Sequence, residues 1–257
     1  MTLPEDFFER LRQSLVAAGM HSYQAMPVSA FVTQCYDVLL SAHKALVEPI
    51  RWQQFCATRG ATTKRKRARA APANISETAI TAHLSKEAQR LLLEGASTTP
   101  LVPSIGIACV IADHTAPSDA ATGSSSKRPD LVFFPANPAL SIQFAMEAKI
   151  VRLASGIAND LLGEAGFGCF VRAIDPYETN GVVGLLGYVE PANTSAMVIE
   201  MERCMQADSR FTQVGAHDLS VSAQGANHKP RTVVGHIVNA QPKVCVATML
   251  AVRLTAS

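Results

Sequence analysis

The sequence predicts a mixed α/β fold, with helices packed against a mixed sheet. Hydrophobic residues make up 48% of the 257 residues and charged residues 17%, so the chain can bury a large core. Beyond residue 73, segments with helical spacing of apolar residues alternate with short runs rich in β-branched residues. Uninterrupted apolar runs such as 244–252 are about half the length that spans a bilayer. We therefore expect no membrane partner, and the low charged content favours a homo-oligomer or a complex subunit.

The cysteines and the N-terminus both favour a cytoplasmic protein. The cysteines stand apart from one another, at positions 35, 56, 109, 169, 204 and 245. Without a CxxC pair they predict neither a zinc ribbon nor a redox dithiol, and their apolar neighbours predict reduced thiols in the core. The first residues, MTLPEDFFERLRQSL, carry acids where a secretion signal carries basic residues.

A helical section is predicted for residues 1–72. Apolar side chains recur at helical spacing within residues 5–19 and again within 28–49. A basic linker at about 61–73 then leads into the second section, 74–257. We expect the second section to carry the chemistry, because the acidic motifs described below lie in it.

The linker holds most of the basic excess of the chain. Its cations are Lys64, Arg65, Lys66, Arg67 and Arg69. Such a run is typical of a solvated loop, and it also suits an arm that contacts nucleic-acid phosphates. Both interpretations stay open, and the second makes this run the candidate nucleic-acid-binding segment.

The second section begins with a helix and continues with strands and helices. Asn74 or Ser76 is expected to cap the helix, with Glu77 near its start. From residue 74 the predicted order is helix, strand, strand, strand, helix, strand. The elements after the first helix are predicted at 103–112, in two strands within 128–150, at 157–174 (helix, interrupted by glycines), 182–189 (strand), 193–206 (helix), 232–238 (strand) and 243–254 (strand).

The stretch RPDLVFFPANPALSIQFAMEAKI, residues 128–150, reads as a hairpin. Asp130 and Glu147 are equidistant from the midpoint between Pro138 and Ala139, where an Asn-Pro pair gives a turn signal. If the turn is symmetric, the two acids face each other across adjacent antiparallel strands. Facing residues have Cβ atoms roughly 4.5–5.5 Å apart, so both carboxylates can reach one cation. A slip of one residue would place them on opposite faces.

Alternation along the second strand places Glu147 and Lys149 on one face. Phe144 and Met146 point to the other face, which we expect to be the apolar core, while the acidic face is expected to leave room for a cation and a substrate. Two neighbouring carboxylates repel unless a positive charge lies between them. Mg²⁺ or Mn²⁺ meets that need, and Lys149 could act on a water and offset charge on a phosphate. The pattern therefore predicts hydrolysis of phosphodiesters.

Pro129-Asp130, a spacer and Glu147-Ala148-Lys149 resemble the motif of the PD-(D/E)xK nuclease superfamily, which has the restriction-endonuclease-like fold. The resemblance implies a core of order αβββαβ over about 74–190. It implies that Asp130, Glu147 and the Ala148 carbonyl hold Mg²⁺ or Mn²⁺, and that Lys149 acts on the water. Glu77 stands where the family often has a further acid from the preceding helix, so it would bind or orient a metal or its water.

The same resemblance implies the biochemical setting. A metal-dependent deoxyribonuclease, most simply an endonuclease, is expected, with a role in anti-phage defence by family analogy. Such nucleases often work beside an ATPase or helicase, and this chain has no GxxxxGK[ST] loop of its own. The helical section before residue 73 and the strands after about 208 lie outside the resemblance.

Two other functional classes stay open. The chain could be a non-catalytic nucleic-acid-binding subunit that keeps the nuclease-like fold, or an assembly scaffold in which the hairpin charges are incidental. The histidines show no ligand spacing, and the glycines of 163–168 do not form a dinucleotide fingerprint. RNA also stays open as a substrate.

Overall fold

A seven-stranded mixed sheet organises the chain in a computed structural model of the protein, which confirms the predicted mixed α/β class. The described residues are 5–58, 62–63, 74–94, 106–113, 129–137, 140–172, 177, 181–189, 194–219, 231–238 and 244–253. No helix among these residues is long and apolar enough to cross a membrane. The predicted boundary between the two sections, with the basic run, falls outside the described residues.

Helices and strands cover most of the described chain. The helices are α1 (Glu5–Ala17), α2 (Ser22–Leu46), α3 (Pro49–Ala57), α4 (Glu77–Leu93), α5 (Ala154–Gly156), α6 (Gly168–Val171) and α7 (Thr194–Ala207), with a π-helical turn at Ile157–Leu161. The strands are β1 (Thr62–Thr63), β2 (Asn74–Ile75), β3 (Ile107–Ala112), β4 (Leu131–Pro135), β5 (Phe144–Val151), β6 (Gly181–Val189), β7 (Phe211–Asp218), β8 (Arg231–Ile237) and β9 (Val244–Arg253).

The strand order in the large sheet is β3-β4-β5-β6-β9-β8-β7. Its centre is parallel, because β6 runs parallel to both β5 and β9. Antiparallel pairs complete both sides, with β3 and β4 beside β5 and with β8 and β7 beside β9. From α4 to β6 the observed order is the predicted helix, three strands, helical segment and strand.

Two apolar clusters cover the two faces of the sheet. Phe144 and Met146 of β5 join a cluster with buried residues of α1, α2 and α4. Ala145 and Val151 join the other cluster, together with α7 and the π-helical turn. The expectation that the acidic face of β5 is left unpacked was therefore wrong over most of the strand. A strand inside a sheet that is covered on both sides buries both sets of alternating side chains.

The helix predicted over 157–174 is broken into short pieces. A Cβ at Gly163 would overlap the carbonyl oxygen of Asn159, and one at Gly166 would overlap that of Leu161. The chain therefore folds back on itself more closely than a continuous helix with side chains permits. The result is the π-helical turn followed by α6.

Two further elements differ from the prediction. Helix α2 begins at Ser22 rather than near residue 28, so Pro27 lies inside it. Strand β7 was not predicted. Its side chains are mostly exposed or half-buried, and the absence of apolar alternation at this sheet edge explains why the pattern missed it.

Candidate active site

The β4–β5 hairpin has the register that the symmetric turn predicted. Leu131 pairs with Met146, so continuing the antiparallel register by one residue brings Asp130 opposite Glu147. The predicted register is confirmed. Asp130 immediately precedes β4, and Glu147 lies near the middle of β5.

Asp130 is tied directly to the backbone of β5. Its Oδ2 accepts a hydrogen bond from the backbone N–H of Ala148 at 2.8 Å. That contact fixes the carboxyl group beside Glu147 rather than leaving it as a free strand-end charge in solvent. Asp130 keeps 31% of its side chain exposed, so one side of the pair is open to solvent.

Lys149 lies at the centre of the candidate site. Its Nζ is 3.5 Å from Asp130 Oδ2 and 3.3 Å from Glu147 Oε2. The same atom is 3.4 Å from Glu77 Oε1 and 3.0 Å from the carbonyl oxygen of Ala148. All the side chains named for catalysis or metal binding in the sequence analysis therefore meet around one nitrogen atom. We call these five residues the acid–lysine cluster.

Glu77 reaches the cluster from the first turn of α4. Ser76 caps that helix, with its Oγ accepting a hydrogen bond from the backbone N–H of Ala79 at 3.4 Å. The second carboxylate oxygen of Glu77 accepts a hydrogen bond from the backbone N–H of Ile150 at 2.9 Å. Glu77 thus bridges the backbone of β5 and the ammonium group of Lys149.

The far half of α4 is held against the open side of β3. Gln89 accepts a hydrogen bond from the Val110 backbone N–H at 3.0 Å, and the Ser85 hydroxyl donates to the Val110 carbonyl at 3.2 Å. These bonds satisfy the outward-facing backbone groups of a strand at the sheet edge. They also fix where the helix lies along the sheet, and hence where the side chain of Glu77 lies.

Burial changes the charge state of the cluster. Desolvation, together with the neighbouring Asp130 carboxylate, raises the pKa of Glu147 to about 9, although Lys149 acts in the opposite direction. Burial disfavours the charged form of Lys149, but the surrounding carboxylates outweigh it and raise the lysine pKa. Burial therefore favours the neutral form of Glu147, and the neighbouring carboxylates favour the charged form of Lys149.

The donor set fits a hard divalent cation. Asp130, Glu147 and the Ala148 carbonyl offer only oxygen atoms, the ligands that Mg²⁺ and Mn²⁺ prefer, and a cation already lies among them in the form of the Lys149 ammonium. Within the described ranges, no group of three or more His, Cys, Asp or Glu side chains is arranged to hold a metal. A metal would therefore rely on two carboxylates, one carbonyl and waters, which is a usual arrangement for Mg²⁺.

Several residues outside the acid–lysine cluster also bear on the site. The candidate nucleic-acid-binding run, residues 64–69, lies outside the described residues. His83 packs against Phe55 with ring centroids 5.2 Å apart, and His236 is buried. Sequence reasoning missed Thr81 and Tyr188, whose hydroxyl groups are 2.9 Å apart near the cluster. The signal was slight: one hydroxyl-bearing residue in each of two apolar segments.

No family model, curated protein or solved structure matches this chain. The motif residues and the geometry around Lys149 are therefore the features that point to a function.

Proposed function

We propose that this protein is a metal-dependent nuclease with a restriction-endonuclease-like core, cutting DNA phosphodiester bonds. One observation carries the proposal: Asp130, Glu147 and the Ala148 carbonyl lie within 3.5 Å of the same Lys149 nitrogen. Glu77 adds a carboxylate from a preceding helix, in keeping with the family resemblance. A pair of strand-end charges kept in solvent would not be buried, hydrogen-bonded to the backbone and focused on one point.

In this mechanism Asp130, Glu147 and the Ala148 carbonyl would hold Mg²⁺ or Mn²⁺. When bound, the ion supplies charge stabilisation at the phosphate and lowers the pKa of water. Lys149 turns its ammonium group toward the attacking water and the scissile phosphate, where it orients the nucleophile and offsets negative charge. Water oxygen bonds to phosphorus as the phosphorus–oxygen bond to the leaving strand breaks, the electron pair of that bond stays on the leaving oxygen, and the proton lost by the water passes to solvent. Glu77 holds Lys149 in place through its Oε1.

Glu147 must release a proton before it can act as an anionic ligand. Because its pKa is raised to about 9, protons compete with the metal for this carboxylate at neutral pH. Metal binding is therefore expected to strengthen as pH rises from 6 to 9. A negative charge on Glu147 becomes favourable once a divalent cation is beside it.

The proposed biological setting follows from the resemblance. DNA is the preferred substrate, the cut is endonucleolytic, and an ATPase or helicase partner would supply ATP hydrolysis. An effector role in anti-phage defence and a cytoplasmic location fit this activity. The basic run, residues 64–69, would add sequence-independent affinity for phosphates.

Cleavage of plasmid DNA by the purified protein tests the proposal. We expect nicking or linearisation with Mg²⁺ or Mn²⁺ and none with EDTA, and a loss of about 100-fold or more in Lys149→Ala and Glu147→Ala. Glu94→Gln is the matched control, since Glu94 is an exposed acid at the end of α4, and it should keep full activity. Unchanged cleavage in Lys149→Ala or Glu147→Ala would remove those residues from the mechanism.

One observation favours a second function, that of a non-catalytic binding or scaffold subunit with a nuclease-like fold. The Lys149 ammonium lies within 3.5 Å of three carboxyl groups, which is the position that a bound cation would take. Such a subunit would show no thermal shift with Mn²⁺. Salt-sensitive DNA affinity would then indicate the binding subunit, and a stable protein partner without DNA affinity would indicate the scaffold.

A further inference from the structure

A buried pair of hydroxyl groups lies near the candidate site. Thr81 Oγ1 of α4 and the Tyr188 hydroxyl of β6 are 2.9 Å apart. Tyr188 is fully buried and Thr81 is 3% exposed, so neither hydroxyl is hydrogen-bonded to bulk solvent. A buried polar pair of this kind holds two elements in one arrangement, because separating them leaves both groups unsatisfied.

The pair connects α4, which carries Glu77, with β6, the strand next to β5. Thr81 follows Glu77 by four residues, so both side chains lie on the same face of α4. Tyr188 pairs with Ile150 in the parallel register of β5 and β6. Ile150 is the residue whose backbone N–H is bonded by Glu77 at 2.9 Å. One turn of α4 is thus fastened to adjacent positions of two neighbouring strands.

The surroundings keep the tyrosine hydroxyl protonated. Burial raises the pKa of Tyr188, and the nearby Asp130 and Glu77 carboxylates raise it further, whereas the bond to Thr81 acts against the rise. Tyr188 therefore remains a neutral hydrogen-bonding group across the working pH range. Its hydroxyl makes no hydrogen bond to the acid–lysine cluster in the described structure, and its side-chain hydrogen bond is to Thr81 of α4.

We propose that Thr81 and Tyr188 are positioning residues, whose hydroxyl pair fixes the first turn of α4 so that Glu77 stays between the Ile150 backbone N–H and the Lys149 ammonium. The inference rests on the proposed nuclease function for its consequence in catalysis. The claim that the pair positions Glu77 does not rest on that function, because the position of Glu77 can be measured without any substrate. If Glu77 loses its contact with the Ile150 N–H, Lys149 loses one of its contacts, and the orientation of its ammonium group toward the water and the phosphate becomes less defined.

The chain contains a matched control pair. Tyr36 of α2 and Thr248 of β9 are both fully buried and also share a hydroxyl–hydroxyl hydrogen bond. The ring of Tyr36 packs against Phe7 and Phe144, and none of its recorded partners belongs to the acid–lysine cluster. Tyr36→Phe removes the same kind of bond at the same depth, together with the contact of the Tyr36 hydroxyl with Thr232. The variant therefore measures how far the loss of such a buried hydrogen bond lowers the stability of the protein, without an effect on the acid–lysine cluster.

Kinetics of the full-length protein with Mn²⁺ and plasmid DNA separate the two pairs. We expect Tyr188→Phe to lower kcat by about tenfold with KM within about twofold, because Glu77 acts on the cluster rather than on DNA affinity. Tyr36→Phe should leave both constants within about twofold, although both variants lower the melting temperature to a similar extent. Thr81→Ser should retain the activity, whereas Thr81→Val should behave as Tyr188→Phe, and the double variant should be no worse than either single one.

The backbone amide of Ile150 gives a readout that does not need activity. In Tyr188→Phe we expect its ¹H–¹⁵N resonance to shift and its hydrogen exchange to accelerate several-fold, with no such change in Tyr36→Phe. An unchanged Ile150 amide, or a kcat equal to that of the wild type, would overturn the inference. If the wild type cuts no DNA, the proposed function fails instead, and the amide still decides whether the pair positions Glu77.

Discussion

The Glu147 carboxyl is protonated at neutral pH, because burial and the neighbouring Asp130 raise its pKa to about 9. In the unfolded chain the same group ionises near 4.5. Folding without metal at pH 7 therefore includes the uptake of a proton, which costs free energy. Glu147, which the proposed chemistry needs, therefore destabilises the metal-free fold.

Replacing Glu147 with glutamine should stabilise the metal-free protein. At pH 7 we expect the free energy of unfolding to rise by about 1–3 kcal/mol, because the variant folds without taking up a proton. Since the folded pKa is raised, the wild-type penalty is absent below about pH 4.5 and grows as pH rises toward 9, so the gain should shrink as pH falls. Urea denaturation in EDTA between pH 5 and 8 measures this.

The exposed acid Glu94 provides the control for that experiment. Glu94→Gln should change the free energy of unfolding at pH 7 by less than about 0.5 kcal/mol. A Glu147→Gln variant less stable than wild type at pH 7 would show that the carboxyl is ionised and stabilised by Lys149. The assignment of the proton would then be wrong.

At the scale of elements, the hairpin and α4 bring the acids to Lys149. The hairpin register was predictable because two apolar strands and a central Asn-Pro turn leave one symmetric pairing, which places Asp130 opposite Glu147. The start of α4 was predictable because Ser76 can cap it. What local patterns could not give is the contact of Glu77 with Ile150, which depends on how α4 crosses the sheet.

Two elements were missed for definite physical reasons. The segment around Gly163 and Gly166 has helical apolar spacing, but its backbone folds back through close contacts that only the tertiary structure reveals. Strand β7 pairs with β8 at the sheet edge without an alternating apolar pattern. In both cases neighbouring elements, rather than local spacing, decide the conformation.

The contact between α4 and β3 has a measurable cost. Gln89→Ala removes the acceptor for the Val110 backbone N–H, and we expect the free energy of unfolding to fall by about 1 kcal/mol. Lys86→Ala, an exposed position on the same helix, should change it by less than about 0.5 kcal/mol. Equal stability of the two variants in urea would mean that this bond does not hold α4 against the sheet.

For the whole molecule, the sequence predicted the class of fold and the group of residues that meet, but not the packing around them. Composition and periodicity gave a mixed α/β protein, and the motif gave Asp130, Glu147 and Lys149. Burial of both faces of β5 follows from its place inside a sheet with clusters on each side. That burial is what raises the Glu147 pKa, so the charge state of the site depends on the complete fold.

The basic run should contribute to the DNA affinity of the protein rather than to the rate of the chemical step. Replacing Lys64, Arg65, Lys66, Arg67 and Arg69 with glutamine should weaken DNA binding and reduce the slope of log K against log salt by up to about 4. The cleavage rate at saturating DNA should stay within about twofold. Fluorescence anisotropy at several salt concentrations measures the slope, and an unchanged slope would remove this run from the interface.

A crystal of the protein soaked with Mn²⁺ tests the central claim most directly, through anomalous diffraction at the manganese edge. We expect one strong peak in contact with the Asp130 and Glu147 carboxylates and the Ala148 carbonyl oxygen, with the Lys149 ammonium moved from its place among them. Absence of such a peak at pH 8 and millimolar Mn²⁺, with Lys149 still within 3.5 Å of the carboxylates, would contradict it.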